Sequence, residues 1–194
     1  GSKNVTVVGD VTLNGQLSAH PNAHTDLNLM TFGSLTINSG GAYAATTGTT
    51  TINGTFDNNG TDPTTSFIHN NGTVLIEPQA AAGIEIKGSN TGTGTVFYNV
   101  TTGVSHNSNI VELVEKMVIL NHLDANVKTR PSGEVRFGKA DASTVAEGGS
   151  VNTGTAFQIF GGTLIGLSTI YPTVFTGGIN YESSSEMKLS NLDW

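Results

Sequence analysis

The chain has 194 residues, a formal net charge of -7, only 12% charged residues, 25 glycines and no cysteine. Only 8 lysines and arginines oppose 15 acidic residues and none forms a basic run, which argues against a nucleic-acid partner, since phosphate backbones are bound by clustered cations. Without cysteine there is no disulfide, thiolate metal site or thiol nucleophile, and no apolar run approaches the ~20 residues that insert a helix into a membrane.

Low charge with abundant Thr, Val and Ile is the opposite of a disordered composition and suits long polar β surfaces. From Asn4 to about Glu77 the reading is β throughout. Val5-Thr6-Val7, Val11-Thr12-Leu13 and Thr51-Ile52 leading to Phe56 alternate with the period of two expected of half-buried strands. A short apolar-and-threonine strand followed by Asn and Gly keeps returning. It reads Val11-Thr12-Leu13-Asn14-Gly15, Leu35-Thr36-Ile37-Asn38-Ser39-Gly40, Thr51-Ile52-Asn53-Gly54 and Phe67-Ile68-His69-Asn70-Asn71-Gly72. Degenerate repetition of a strand-turn unit marks a solenoid whose rungs bury their inward side chains against one another. Asn and Gly tolerate positive φ, so each pair is expected to turn the chain sharply. Asn14, Asn38, Asn53 and Asn71 are expected to stack at one repeated corner, hydrogen-bonded from rung to rung.

Taken singly, Asn-Gly between strands signals a hairpin, so an antiparallel β-sandwich is the alternative. Recurrence of the phrase favours an all-β, single-domain, right-handed parallel β-helix over residues 1–194, with rungs of unequal length. Two loops are expected to leave the stack, Ala19 to Asp26 and Asp62 to Ser66.

Within this pattern, Asn53-Gly54-Thr55-Phe56-Asp57-Asn58-Asn59-Gly60-Thr61, His69-Asn70-Asn71-Gly72-Thr73-Val74 and Thr95-Val96-Phe97-Tyr98-Asn99-Val100-Thr101 carry a resemblance. The stretch resembles repeat segments of large bacterial surface proteins and marine phage structural proteins. The likeness covers residues 4 to about 102, departs at the insertion Asp62 to Ser66, and fades afterwards. It implies a parallel β-helix with a scaffold or adhesion role.

Further along, Asn109 to Leu123 matches a helical stripe through Ile110, Leu113, Val114, Met117, Val118 and Leu120. The favoured reading takes Val111-Glu112-Leu113 and Met117-Val118-Ile119 as strands, with Asn121 at another corner, because Leu120-Asn121 echoes Leu13-Asn14. After Lys128 to Gly133 the Asn-Gly phrase stops. Glu134-Val135-Arg136-Phe137, Phe157-Gln158-Ile159-Phe160 and Thr163-Leu164-Ile165 still alternate, with Gly161-Gly162 and Gly177-Gly178 expected between strands. These read as further rungs. The opening Gly1-Ser2 has the look of a cloning scar and Ser190 to Trp194 ends without a polar cap, so a piece of a longer protein is expected.

Chemistry is sparse. His20 and His24 flank Pro21 in a loop, where a four-residue spacing aligns nothing for a metal. His69, His106 and His122 each adjoin an Asn, and turn hydrogen bonding accounts for them. The candidate acids for a polysaccharide-cleaving pair are Glu85 beside Lys87, Glu112 with Glu115, and Glu134 beside Arg136, but no dense acidic cluster forms. Thr46 to Thr51 and Thr91 to Thr95 suggest a threonine ladder of the ice-binding kind, which irregular rung spacing argues against. No catalytic, cofactor or metal residue is assigned.

The expected function is a non-enzymatic structural or adhesive β-helix module, extracellular, of a phage tail or fibre or of a secreted surface protein. Its partners would be other subunits of that assembly, a homotrimer among the options, and cell-surface glycans met through the two loops with help from Tyr43. A polysaccharide depolymerase on the same fold is the alternative, and an ice-binding solenoid the third.

Overall fold

The computed structural model describes residues 4–18, 29–77, 84–102, 111–124, 127–129, 133–159, 162–181 and 187–193. Every strand pairing among them is parallel. Each strand pairs with the one that returns a full turn of chain later, not with its sequence neighbour. That is a parallel β-helix, and it rules out the antiparallel sandwich, whose hairpins would pair neighbouring strands.

Three faces wind round the core. The first holds Val5–Thr6, Leu29–Phe32, Thr49–Ile52 and Thr73–Ile76, then the C-terminal parts of Thr95–Thr102 and Lys116–Asp124 and the N-terminal parts of Ser150–Ile159 and Thr173–Tyr181. The second holds Val11–Leu13, Leu35–Ile37, Phe56–Asn58, Glu85–Lys87, Val111–Val114 and Val127–Thr129. The third begins with Gln16–Ser18, Ala42–Ala44 and Phe67–Ile68. Phe67 then packs on Phe97 with ring centroids 5.2 Å apart, and Lys116–Ile119, Glu134–Phe137, Gly162–Gly166 and Met187–Ser190 follow.

Period-two alternation becomes columns of side chains running down the stack. On the first face Met30, Thr50, Val74, Val100, Leu123, Val151 and Phe175 lie each opposite the next, and all are buried. Leu35, Phe56, Ile86 and Leu113 form the matching column of the second face, wholly buried. In the centre Phe32, Tyr43, Phe56, Phe67 and Phe97 interlock, with T-shaped contacts at 5.5 Å (Phe32–Tyr43) and 5.3 Å (Phe56–Phe67). Each such ring contributes roughly 1.5–3 kcal/mol over an exposed one, and edge-to-face contact adds to this.

The corners correct the sequence reading. Asn14 and Asn38 do stack, with Asn38 Nδ2 donating to Asn14 Oδ1 at 2.9 Å, between the second and third faces. Asn53 lies between Thr49–Ile52 and Phe56–Asn58, and Asn71 between Phe67–Ile68 and Thr73–Ile76. The phrase therefore recurs at all three corners of the coil, where two to four residues separate one strand from the next. Positive φ is used at Asn70 (46°) and Asn71 (58°) but not at Asn14-Gly15 or Asn53-Gly54. What Gly54 and Gly72 supply is room: a Cβ there would run into Ser34 Oγ and into the Thr46 carbonyl of the preceding coil.

Val111–Val114 and Lys116–Asp124 are strands, as favoured, with Glu115 (φ 70°) turning between them. Asn121 lies inside the second of these strands and donates to Asn99 Oδ1 at 2.7 Å. There the register of Thr95–Thr102 slips between Phe97 and Asn99, so one long strand serves two faces through a bulge. Gly177-Gly178 likewise lies within Thr173–Tyr181 rather than between strands. Asp62 to Ser66 is no ejected loop: Pro63–Ser66 forms one helical turn, α1, with Pro63 and Ser66 buried. Ala19 to Asp26, His20, His24 and His106 lie outside the described residues.

Candidate functional site

Three surfaces bear on function. The first surrounds α1. Asp62 caps it, with Oδ1 accepting from the Thr64 amide at 3.0 Å and the Thr64 hydroxyl at 2.7 Å. These bonds hold the Asp62 carboxyl below its ordinary range. Beneath it, Asn58 replaces an apolar core residue. Its Oδ1 accepts from Ser66 Oγ at 2.8 Å and the Gly60 amide at 3.1 Å, and its Nδ2 donates to Thr95 Oγ1 at 2.8 Å. Thr95 in turn donates to the Gly88 carbonyl. A buried amide is tolerated only when its partners are supplied in this way, and the network fastens α1 to the stack. Above α1 opens a polar cleft of about 260 Å³ lined by Gln16, Gly40, Gly41, Ala42, Thr61, Asp62, Thr65 and Ser66.

Tyr43, expected to help at such a contact, is not at the surface. It is fully buried among the phenylalanines, with its hydroxyl 3.0 Å from Thr50 Oγ1, and burial pushes its phenol up to about 12. Its position in Ala42–Ala44 points it inward with the pleat, a parity that composition cannot reveal.

The second surface is a charged strip on the second face. Lys87 bridges Glu85 at 3.3 Å and Asp57 at 3.9 Å, Glu85 lies in register with Glu112, and Asn90 donates to Glu115 at 2.8 Å. The bond from Glu85 holds the Lys87 ammonium above its ordinary value. Burial, then the Asp57 charge, pushes the Glu115 carboxyl up. Glu134 and Arg136 pair separately, Arg136 Nε to Glu134 Oε1 at 2.7 Å. Of the three acid pairs read from the sequence, Glu85 with Lys87 and Glu134 with Arg136 are ion pairs along one strand. Asp57, 30 residues before its partner Lys87, was not legible, because only the stacking register unites them. Among the described residues no group of three His, Asp or Glu could hold a metal ion.

The third surface is the outer side of the first face. Leu29, Thr49, Thr73, Asn99, His122 and Ser150 form one outward column, and Thr31, Thr51, Leu75, Thr101, Asp124 and Asn152 the other. Leu29 returns to Thr49 after 20 residues and His122 to Ser150 after 28, yet the register of this face is unbroken because length varies at corners and insertions. The objection that irregular spacing prevents a ladder is therefore removed. Thr50 and Thr95, in contrast, point into the core. The lower half of the face is self-bonded: Asn99 Nδ2 donates to Thr73 Oγ1 at 3.4 Å, His122 Nδ1 lies 2.7 Å from Ser150 Oγ, and Asn152 Nδ2 donates to Asp124 Oδ1 at 3.3 Å. His69 instead follows the turn chemistry, its Nδ1 accepting from the Asn71 amide at 2.9 Å, and burial lowers its pKa.

No helix among the described residues is long and apolar enough to cross a membrane. No family model, curated protein or solved structure matches the chain.

Proposed function

We propose that the chain is a non-enzymatic structural and adhesive module, part of a phage tail or fibre or of a secreted surface protein, acting outside the cell. The observation that carries this reading is the unbroken inward column from Met30 to Phe175. Each coil is hydrogen-bonded to the next by backbone, which favours a stiff rod that resists local opening and proteolysis. The mechanism is passive: the rod fixes the spacing of surface features that meet other subunits and glycans. Prior pairing of Lys87, Arg136 and Lys139 with their own neighbouring carboxylates supports binding over catalysis. The test pairs capture on immobilised capsule and algal polysaccharides with reducing-sugar and unsaturated-uronate assays on the same polymers. Capture without product is expected; release of product that is lost in Glu115→Gln would replace this reading with a depolymerase centred on Lys87 and Glu115.

A second reading is favoured by one observation. Thr31, Thr49, Thr51 and Thr73 stand in register on an uncharged patch, at the ~4.8 Å and ~6.6 Å repeats of a parallel sheet. Such an array can order water and adsorb to ice. Thermal hysteresis and uptake into a growing ice shell, both abolished by Thr49→Leu and Thr51→Lys, are its signature; exclusion of the wild type from ice removes it.

A further inference from the structure

We infer that the cleft above α1 is a binding site for a neutral saccharide, taking one pyranose unit through its hydroxyls. This deepens the adhesive reading and rests on it.

The cleft is assembled from three successive coils. Gln16 lies opposite Ala42 in the strand register, Gly40 and Gly41 precede Ala42, and Thr61, Asp62 and Thr65 come from the next coil. Gly40, in its lining, is exposed with φ 82°, and a Cβ there would meet nothing within 4 Å. A cleft of about 260 Å³ lies just below the usual range for drug-sized ligands and suits a single sugar ring. The lining is amide, hydroxyl and backbone, with Asp62 as its one charged group. The Asp62 carboxylate accepts from Thr64 and is drawn on by Thr65 as well, and with about four acceptor positions on a carboxylate it keeps capacity for one ligand hydroxyl. Thr61 Oγ1 pairs with Ser39 Oγ at 3.0 Å, which orients one rim hydroxyl.

The wall is preorganised. Ser66, at the end of α1, is held by the buried Asn58, so little ordering is required on binding, and preorganisation of this kind raises affinity. An acidic sugar is disfavoured by Asp62 and by the net charge of -7. A lone carboxylate among hydroxyls matches a polyol better than a polycation, which would need several acids.

The experiment uses the whole chain. Amide shifts are followed while methyl α-mannoside, methyl β-galactoside, methyl β-glucoside or glucuronate is added to millimolar concentration, alongside capture on an immobilised glycan array. At least one neutral glycoside is expected to move the amides of Gly41, Thr61 and Thr65, and glucuronate none of them. Asp62→Asn keeps an N-cap residue but loses the charged acceptor, and weakens binding about tenfold or more. Gly40→Asn adds a side chain to the cleft lining with a residue type that tolerates positive φ, and abolishes the shifts. Array capture that both variants leave unchanged, with silent cleft amides, overturns the cleft while the adhesive reading stands. Absence of any capture by the wild type removes both, and equal shifts with glucuronate overturn the neutral-sugar assignment.

Discussion

Tyr43 and Thr50 face each other inside the coil, hydroxyl to hydroxyl at 3.0 Å, and both are buried. Tyr43→Phe strands the Thr50 hydroxyl in an apolar core, and Thr50→Val strands the phenol; each is expected to lower stability by about 1–3 kcal/mol. The double variant replaces both partners with apolar groups of nearly the same shape. It should therefore lose less than the sum of the two, with a coupling of about 1–2 kcal/mol. Urea denaturation followed by far-UV circular dichroism supplies the cycle. Amide exchange at Ala44 and Thr51 shows whether the same coils open in every variant, since stacked coils can unfold piecemeal. The pair also has a pH signature. Burial raises the phenol from 10.0 to about 12, so the folded chain keeps a proton that the unfolded chain releases. The stabilisation is full below pH 10 and is lost as pH rises towards 12, a decline of about 2–3 kcal/mol. Tyr43→Phe should remove that decline. A double variant whose loss equals the sum of the singles within about 0.5 kcal/mol would refute the claim that the two hydroxyls satisfy one another.

Asn58→Ala leaves the Ser66 hydroxyl and the Gly60 amide without their Asn58 acceptor and takes from Thr95 the donor it accepts from; it should cost about 2 kcal/mol or more, with amide exchange around α1 speeding up before that of the other coils. Gly88→Ala would press a Cβ into the Lys116 carbonyl, whereas at Gly15 a Cβ meets nothing within 4 Å. Thermal unfolding should therefore show Gly88→Ala strongly destabilised and Gly15→Ala neutral or slightly stabilised. Glu147 is held down to about 2 by its bond from Lys139 and then by Ser143. Its contribution is present above the ordinary carboxyl range near 4.5 and lost as pH falls towards 2, so a carboxyl NMR titration midpoint near 4.5 would contradict the Lys139 and Ser143 contacts.

The coil was legible in the sequence because local rules suffice for it. Alternation in Val11-Thr12-Leu13 and Leu35-Thr36-Ile37 defines an inward and an outward side, and the recurring Asn-Gly phrase marks where a short strand must end. The same echo favours strands at Val111-Glu112-Leu113 and Met117-Val118-Ile119 over the helical stripe, although Asn121, which it places at a corner, lies inside Lys116–Asp124. What the tertiary structure decided is everything that depends on register between coils. It placed the Asn-Gly phrases at three corners, turned Tyr43 inward and brought Asp57 to Lys87. It also gathered Gln16, Gly40 and Asp62 round one cleft, and aligned Thr31 with Thr51 despite unequal turns of chain. The physical reason is that alternation repeats every two residues whereas a turn takes 20 residues at one point of the first face and 28 at another. Which residue meets which is settled by the closure of each turn round a shared core, a condition that no local stretch of sequence contains.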